Sequence, residues 1–229
     1  METVSRKPNI IVFASGTKDG GGSGFKNLVL ASQKGVLDAT IVAVVSNHQN
    51  GGVSRYAREL GIPFIYFSDA QDASSYRQIV ENTGTTWVAL SGWLKKVVGL
   101  DPRRTFNIHP ALLTQLSGRF GGKGMYGIRV HKAVQEALLQ SEINCSGASM
   151  HFVSDEYDKG PIFFEKAVEL KPGATAEEIQ CKVQQVEHKM QPQITNLVVH
   201  GKIAWDGKNP NSIIYPPGYK YRPGAWKVK

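Results

Sequence analysis

Asn107 and His109 stand two residues apart in Phe106-Asn107-Ile108-His109-Pro110, a short apolar stretch that reads as a strand end. Residues i and i+2 of a strand share a face, so an amide donor and an imidazole lie side by side. Such a pair can stabilise an oxyanion and shuttle a proton. A polar strand end whose histidine satisfies a neighbour is the plainer alternative. Pro110 ends the strand. Asp158, in the acidic turn Ser154-Asp155-Glu156-Tyr157-Asp158-Lys159-Gly160-Pro161, adds a carboxylate, which beside an imidazole orients the ring and raises its pKa. No Ser or Cys occupies a nucleophile elbow, so covalent catalysis is not suggested. His48, His131, His188 and His200 read as structural or exposed histidines on loops or helices.

The elements that must position these groups follow a regular rhythm. The run Ile10-Ile11-Val12-Phe13 suits a strand buried on both faces of a parallel sheet. A glycine-rich turn, Ser15 to Gly24, leads into a helix over 25–34 with Leu28 and Val29 facing inward. A strand, a glycine-rich loop and a helix N-terminus form an anion site, although neither the Rossmann nor the Walker spacing is met, and a flexible surface loop is the alternative. Further strands are expected at 39–46, 63–67 and 87–91, with helices at 53–60 (closed by Gly61) and around 76–82. This alternation predicts an α/β fold, a doubly wound and mostly parallel sheet with flanking helices, whose ligands bind at the carboxyl ends of the strands. The loops after Ala14, Ser91 and His109 should share one edge.

After Pro110 a glycine-rich excursion over 117–127, read as a lid or a spacer, enters a helix at about 130–140. A strand over 144–153 runs into the acidic turn and returns through 162–170. Thr175 and Glu178 make a capping box for a long helix, which Pro192 should kink or interrupt and which His200-Gly201 should close. A short strand is expected at 202–205. The domain is bounded at 1–206, and 207–229 reads as an extended C-terminal tail.

Composition sets the limits. With 229 residues the chain can bury a substantial core. No run approaches the roughly 18 apolar residues of a membrane span, and no secretory signal is recognisable near the first residues, so a cytoplasmic setting is expected. Cys145 and Cys181 are too few for a disulfide framework or a metal knuckle and are expected to be reduced. The net charge of +8 fits either a nucleic acid or an anionic small molecule such as a phosphate ester. No block of five or six basic residues occurs, which argues against nucleic acid, and the charge concentrated in the tail reads as solvated surface.

The stretches Ile11-Val12-Phe13-Ala14-Ser15-Gly16, Asn107-Ile108-His109-Pro110-Ala111-Leu112-Leu113, Gly147-Ala148-Ser149-Met150-His151-Phe152-Val153 and Asp155-Glu156-Tyr157-Asp158-Lys159-Gly160-Pro161 resemble the phosphoribosylglycinamide formyltransferases. The resemblance runs in order from about Asn9 to Trp205, and the Asn-x-His-Pro with Asp-x-Gly-Pro pair is specific to the folate-dependent formyltransferase superfamily. It implies transfer of a formyl group from 10-formyltetrahydrofolate, a co-substrate, to the amine of 5-phosphoribosylglycinamide, without a metal. Asn107, His109 and Asp158 match the catalytic residues, with His109 protonated. Gly22, Ser23 and Gly24 match the phosphate-binding turn, Glu187 the ligand of the ribose hydroxyls, and Pro110 lies beside the substrate. Leu94, Lys95, Val97, Val153 and Asp155 match the residues that frame the folate.

Departures from the family pattern are specific. Gly24 stands where Asn is usual, Lys95 replaces a frequent Arg and loses its planar fork of donors, and the 117–127 loop is long. The tail after Asp206 has no counterpart. The rival readings are a formyltransferase acting on methionyl-tRNA or an amino sugar nucleotide, a formyltetrahydrofolate hydrolase, and a non-catalytic nucleotide- or RNA-binding module. The tRNA enzyme has a second, basic domain and the hydrolase an N-terminal regulatory domain, for which these 229 residues leave no evident room.

Overall fold

The computed structural model describes residues 7–68 and 72–226. Its sheet is built from β1 (Asn9–Phe13), β2 (Thr40–Ser46), β3 (Phe64–Tyr66), β4 (Trp87–Ser91), β5 (Thr105–His109), β6 (Cys145–Phe152) and β7 (Ile162–Glu169), in the order β3-β2-β1-β4-β5-β6-β7. The first five run parallel; β6 is antiparallel to β5, and β7 to β6. This is the expected α/β architecture of a mostly parallel sheet. Strand order reverses between β1 and β4, and a sheet of this kind opens a crevice at the carboxyl ends of the strands where that happens.

The helices are α1 (Ser23–Gln33), α2 (Gly52–Leu60), α3 (Ala73–Asn82), α4 (Ile128–Leu139) and α5 (Ala176–Val199). One face of the sheet buries Ile10, Val12 and Phe106 with Phe25, Leu28, Met190 and Ile194 of α1 and α5. The other buries Ile11, Phe13 and Val88 with Tyr76 of α3 and Trp93. Successive residues of β1 thus serve opposite cores, which is why its run is continuously apolar. Among the described residues no helix is long and apolar enough to cross a membrane. Cys145 is buried at the start of β6, Cys181 is exposed on α5, and both thiols are free.

Two expectations are corrected in part or whole: of a kink or an interruption at Pro192 the interruption does not occur, and the strand at 202–205 does not form. α5 is not interrupted at Pro192, which lies buried inside it. A proline has no N–H, so the carbonyl of His188, four residues earlier, loses its helical donor; Asn27 Nδ2 donates to it instead at 2.7 Å. Residues 202–205 form no strand: Ala204 makes one isolated bridge to Ile214. The segment beyond Asp206 returns to the molecule. Tyr215, Tyr219 and Tyr221 pack against the core, and the Glu165 N–H donates to the Tyr221 carbonyl at 2.9 Å, alongside β7.

Candidate active site

β5 ends at the crevice and delivers Asn107 and His109 from one face, as their spacing requires. The antiparallel β6 sets His151 directly opposite Asn107 and Ser149 opposite His109. The turn after β6 carries Asp158 in the left-handed region, φ +54°, and turns its carboxylate back between the two imidazoles. His109 Nδ1 lies 3.6 Å from Asp158 Oδ2, and His151 Nε2 lies 3.4 Å from Oδ1. Asn107 Nδ2 is 3.2 Å from His151 Nε2 and 3.4 Å from Asp158 Oδ1. The three predicted catalytic residues therefore meet, with His151 as a fourth member that sequence reasoning did not single out.

The loop over 117–127 holds the catalytic pair from its other side. His109 Nε2 is 2.7 Å from the Phe120 carbonyl, and the Gly122 N–H donates to Asp158 Oδ2 at 2.9 Å. A carbonyl can only accept, so Nε2 carries the imidazole proton and Nδ1 faces the carboxylate. The 3.6 Å gap leaves the Nδ1 lone pair room for one more proton.

The electrostatics refine the expectation that Asp158 keeps His109 charged. Burial pulls the His109 pKa below its ordinary value, and the Asp158 carboxylate and Phe120 carbonyl, which oppose this, do not offset it. With its pKa below the ordinary 6.5, the imidazole is neutral at neutral pH and able to accept a proton. Burial also works to raise the Asp158 pKa, but the hydrogen bond with His151, the charges of His109 and His151 and the Gly122 N–H hold it at about 2. Asp158 remains a carboxylate in front of whichever proton His109 acquires.

A cavity of about 640 Å³ extends from this cluster to the glycine-rich loop, and the loops after β1, β4 and β5 share its rim as expected. Gly22, Ser23, Gly24, Pro110 and Glu187 all line it, as do Lys123 and Arg129. Gly22 caps α1 at φ +86° with no side-chain cap, and a Cβ there would meet Val53 at 2.8 Å. The α1 N-terminus is thus presented to the cavity, an arrangement in which free N–H groups can receive an anion. Gly24 is glycine for a different reason: a Cβ would lie 2.2 Å from Ser91 Oγ. A side chain at this position requires the Ser91 hydroxyl to rotate away from its contact with Gln191.

Across the cavity α5 presents Gln180, Gln184, Glu187 and Gln191. Their spacing of four, three and four residues is a polar stripe on one helical face, a signal in the sequence that could have revealed all four. Gln184 Nε2 donates to Ser23 Oγ at 3.0 Å. Buried Gln191 accepts from Ser91 Oγ at 3.4 Å, and its Nε2 has no partner among the described residues. Glu187 is half-buried, and burial pushes its pKa up to about 7. His131, expected to be structural or exposed, is buried on the cavity wall, its Nδ1 unpartnered among the described residues; burial, with the charge of His109 adding, pushes its pKa down to about 4.

The residues expected to frame the folate divide. Lys95, Val97 and Val153 line a narrow cleft of about 50 Å³ together with Asn107, His151 and Asp158. Leu94 instead borders the large cavity, and Asp155 lines a neighbouring hollow of about 300 Å³ with Val97 and Val153. Trp93, Asn107, Tyr157 and Asp158 belong to both cleft and large cavity, so the two form one depression with the catalytic cluster at their junction.

Known proteins resemble the chain in sequence and in fold. Residues 8–195 match the family model described as "Formyl transferase". The chain is 36% identical over 211 residues to "Phosphoribosylglycinamide formyltransferase, chloroplastic" of Arabidopsis thaliana, which covers 87% of this chain and 68% of that protein. The protein of the same name from Vigna unguiculata is 35% identical over 231 residues, covering 93% and 70%. Among solved structures, glycinamide ribonucleotide transformylase 1 from Symbiobacterium toebii superposes with a TM-score of 0.75 at 22% identity, covering 92% of this chain and 94% of that one; this likeness speaks to the fold.

Proposed function

The chain belongs to the formyl transferase family, and we propose that it transfers the formyl group of 10-formyltetrahydrofolate to the amine of 5-phosphoribosylglycinamide, a step of purine biosynthesis. The observation that carries this reading is the junction itself. Asn107, His109 and Asp158 lie where an anion-binding, glycine-lined cavity meets the cleft of Lys95, Val97 and Val153. A phosphorylated amine entering from one side and a formyl donor from the other meet over these side chains.

In this reading the ribonucleotide phosphate rests on the N–H groups of Gly22, Ser23 and Gly24, and Glu187 accepts hydrogen bonds from the ribose hydroxyls. The amine nitrogen attacks the formyl carbon, and a tetrahedral oxyanion forms. Asn107 donates to that oxygen by giving up its longer, 3.4 Å contact with Asp158. The proton released by the amine passes, through water, to Nδ1 of neutral His109, where Asp158 stabilises the new imidazolium. Collapse of the intermediate breaks the bond to folate N10, which takes up that proton. The formyl group has then moved from one nitrogen to the other, and no bond to the protein has formed.

The cleft of about 50 Å³ opens into the larger cavity through Trp93, Asn107, Tyr157 and Asp158, and Lys95 contributes a single charge to the folate side in this reading. Two free thiols fit a reducing compartment, and we place the protein in the cytoplasm. The relatives named chloroplastic make subcellular imaging of a tagged chain the check on that placement.

The function is tested by following the absorbance of a 10-formyl folate analogue. Turnover that requires the ribonucleotide and disappears in His109→Ala supports it. Deformylation without the ribonucleotide would instead identify a hydrolase.

A further inference from the structure

The C-terminal segment, which sequence reasoning leaves without a role, brings Gly224 and Trp226 onto a buried carboxylate that shares a cross-strand row with His109. Three cross-strand neighbours form one row: His109 on β5 is opposite Ser149 on β6, and Ser149 is opposite Glu165 on β7. All three are at least nine-tenths buried. Glu165 makes no ion pair among the described residues; its charge is held by neutral donors from two separate segments. From the loop that leaves His109, Thr114 donates its N–H to Oε1 at 2.9 Å and its hydroxyl to Oε2 at 2.6 Å. From the tail, the Gly224 N–H and Trp226 Nε1 donate to Oε2 at 2.8 Å and 2.7 Å. Ser149 Oγ lies 3.1 Å from Oε1, donates to the Ala111 carbonyl at 2.7 Å and accepts from the Leu113 N–H at 2.9 Å.

The loop between these anchors and the active site is strained. Leu116 and Ser117 hold φ of +44° and +56°, a region that side-chain-bearing residues enter only when their surroundings force them. They lie between Thr114, fixed by Glu165, and Phe120, whose carbonyl fixes His109 Nε2. If the anchor at Thr114 loosens, the strain has a direction in which to relax, and the Phe120 carbonyl moves with it. Without Trp226 and Gly224, Oε2 would keep one donor of three, leaving part of a buried charge uncompensated.

We propose that Glu165 and Trp226 are positioning residues, through which the docked C-terminal segment holds the 110–120 loop in the conformation that sets the His109 tautomer. This rests on the formyl-transfer reading for its kinetic consequence, but not for its structural one. The chemistry of the latch is specific: an indole N–H and a backbone N–H donate to a carboxylate that has no cation partner among the described residues.

The test uses the full chain with Trp226→Phe, which keeps an aromatic ring and removes the Nε1–H donor together with the pyrrole half of the indole, and a second variant that stops after Pro223. Three quantities are measured: kcat and KM for both substrates, the ¹⁵N shifts of the His109 imidazole, and the melting temperature. The proposal expects kcat to fall about tenfold or more, with each KM within about twofold of wild type. It also expects the Nε2–H signal of His109 to shift or broaden. Unchanged kcat and unchanged His109 shifts, with only a lower melting temperature, would show a merely structural clasp and overturn the proposal. If the shorter chain does not fold, Trp226→Phe decides. If wild type shows no formyl transfer, the functional reading fails, and the His109 shifts alone decide whether the latch acts on the histidine.

Discussion

Replacing Asp158 with asparagine keeps the shape of the side chain and removes its charge, so it isolates what the carboxylate does for His109. The two groups face each other at 3.6 Å, with 4% and 12% of their side chains exposed. At an effective dielectric constant of about 20, opposite unit charges at that distance attract by about 4 to 5 kcal/mol. In the proposed mechanism the attraction exists only once His109 has taken the proton of the amine, so it acts on the intermediate and the transition state that precedes it. Losing it raises the barrier by up to that amount, about a thousandfold in rate. The assay is the steady-state rate with a 10-formyl folate analogue, with substrate affinities measured separately by calorimetry. The expected result is a kcat about 10² to 10³ lower with affinities close to wild type. A kcat within a few-fold of wild type would refute the view that Asp158 stabilises an imidazolium formed during the reaction.

Three further outcomes follow from local geometry. Gly24→Asn should destabilise the fold by about 1 to 3 kcal/mol through its clash with Ser91 Oγ, and Ser91→Gly in the same chain should recover much of that in chemical denaturation. Glu187 has its pKa raised from an ordinary 4.5 to about 7, so folding takes up a proton between those values; its contribution to stability is full below about 4.5 and is lost as pH rises through 7. Glu187→Gln should accordingly raise the melting temperature at pH 8 and leave it nearly unchanged at pH 4, while wild-type KM for the ribonucleotide increases as pH falls below 7. Asn27→Ala orphans the His188 carbonyl and should cost about 1 to 2 kcal/mol in denaturation, a loss that shrinks when Pro192→Ala restores the helical donor.

The sequence makes some of this arrangement readable and hides the rest for physical reasons. Asn107 and His109 are readable because strand geometry fixes their relation within three residues. The parallel strands are readable because burial on both faces leaves continuous apolar runs such as Ile10 to Phe13. His151 is not: its place opposite Asn107 depends on β6 turning antiparallel, a choice of pairing that no local pattern in residues 144–153 encodes. Pro192 misleads because the donor that rescues its helix, Asn27, lies on another element. The tail resists interpretation because its partner, Glu165, sits in an ordinary strand pattern and shows its role only when three strands and the chain end come together. Burial likewise reverses the expected direction of the His109 pKa, since local sequence reports the nearby carboxylate but not how little water reaches the ring.

The fate of the formyl carbon is the most direct test of the proposed mechanism. In a ¹³C NMR experiment with a 10-[¹³C]formyl donor and the ribonucleotide, the mechanism predicts that the label passes to the glycinamide amine in wild type and stays on the donor in His109→Ala. Label recovered as free formate, or transferred at the wild-type rate by His109→Ala, would contradict it.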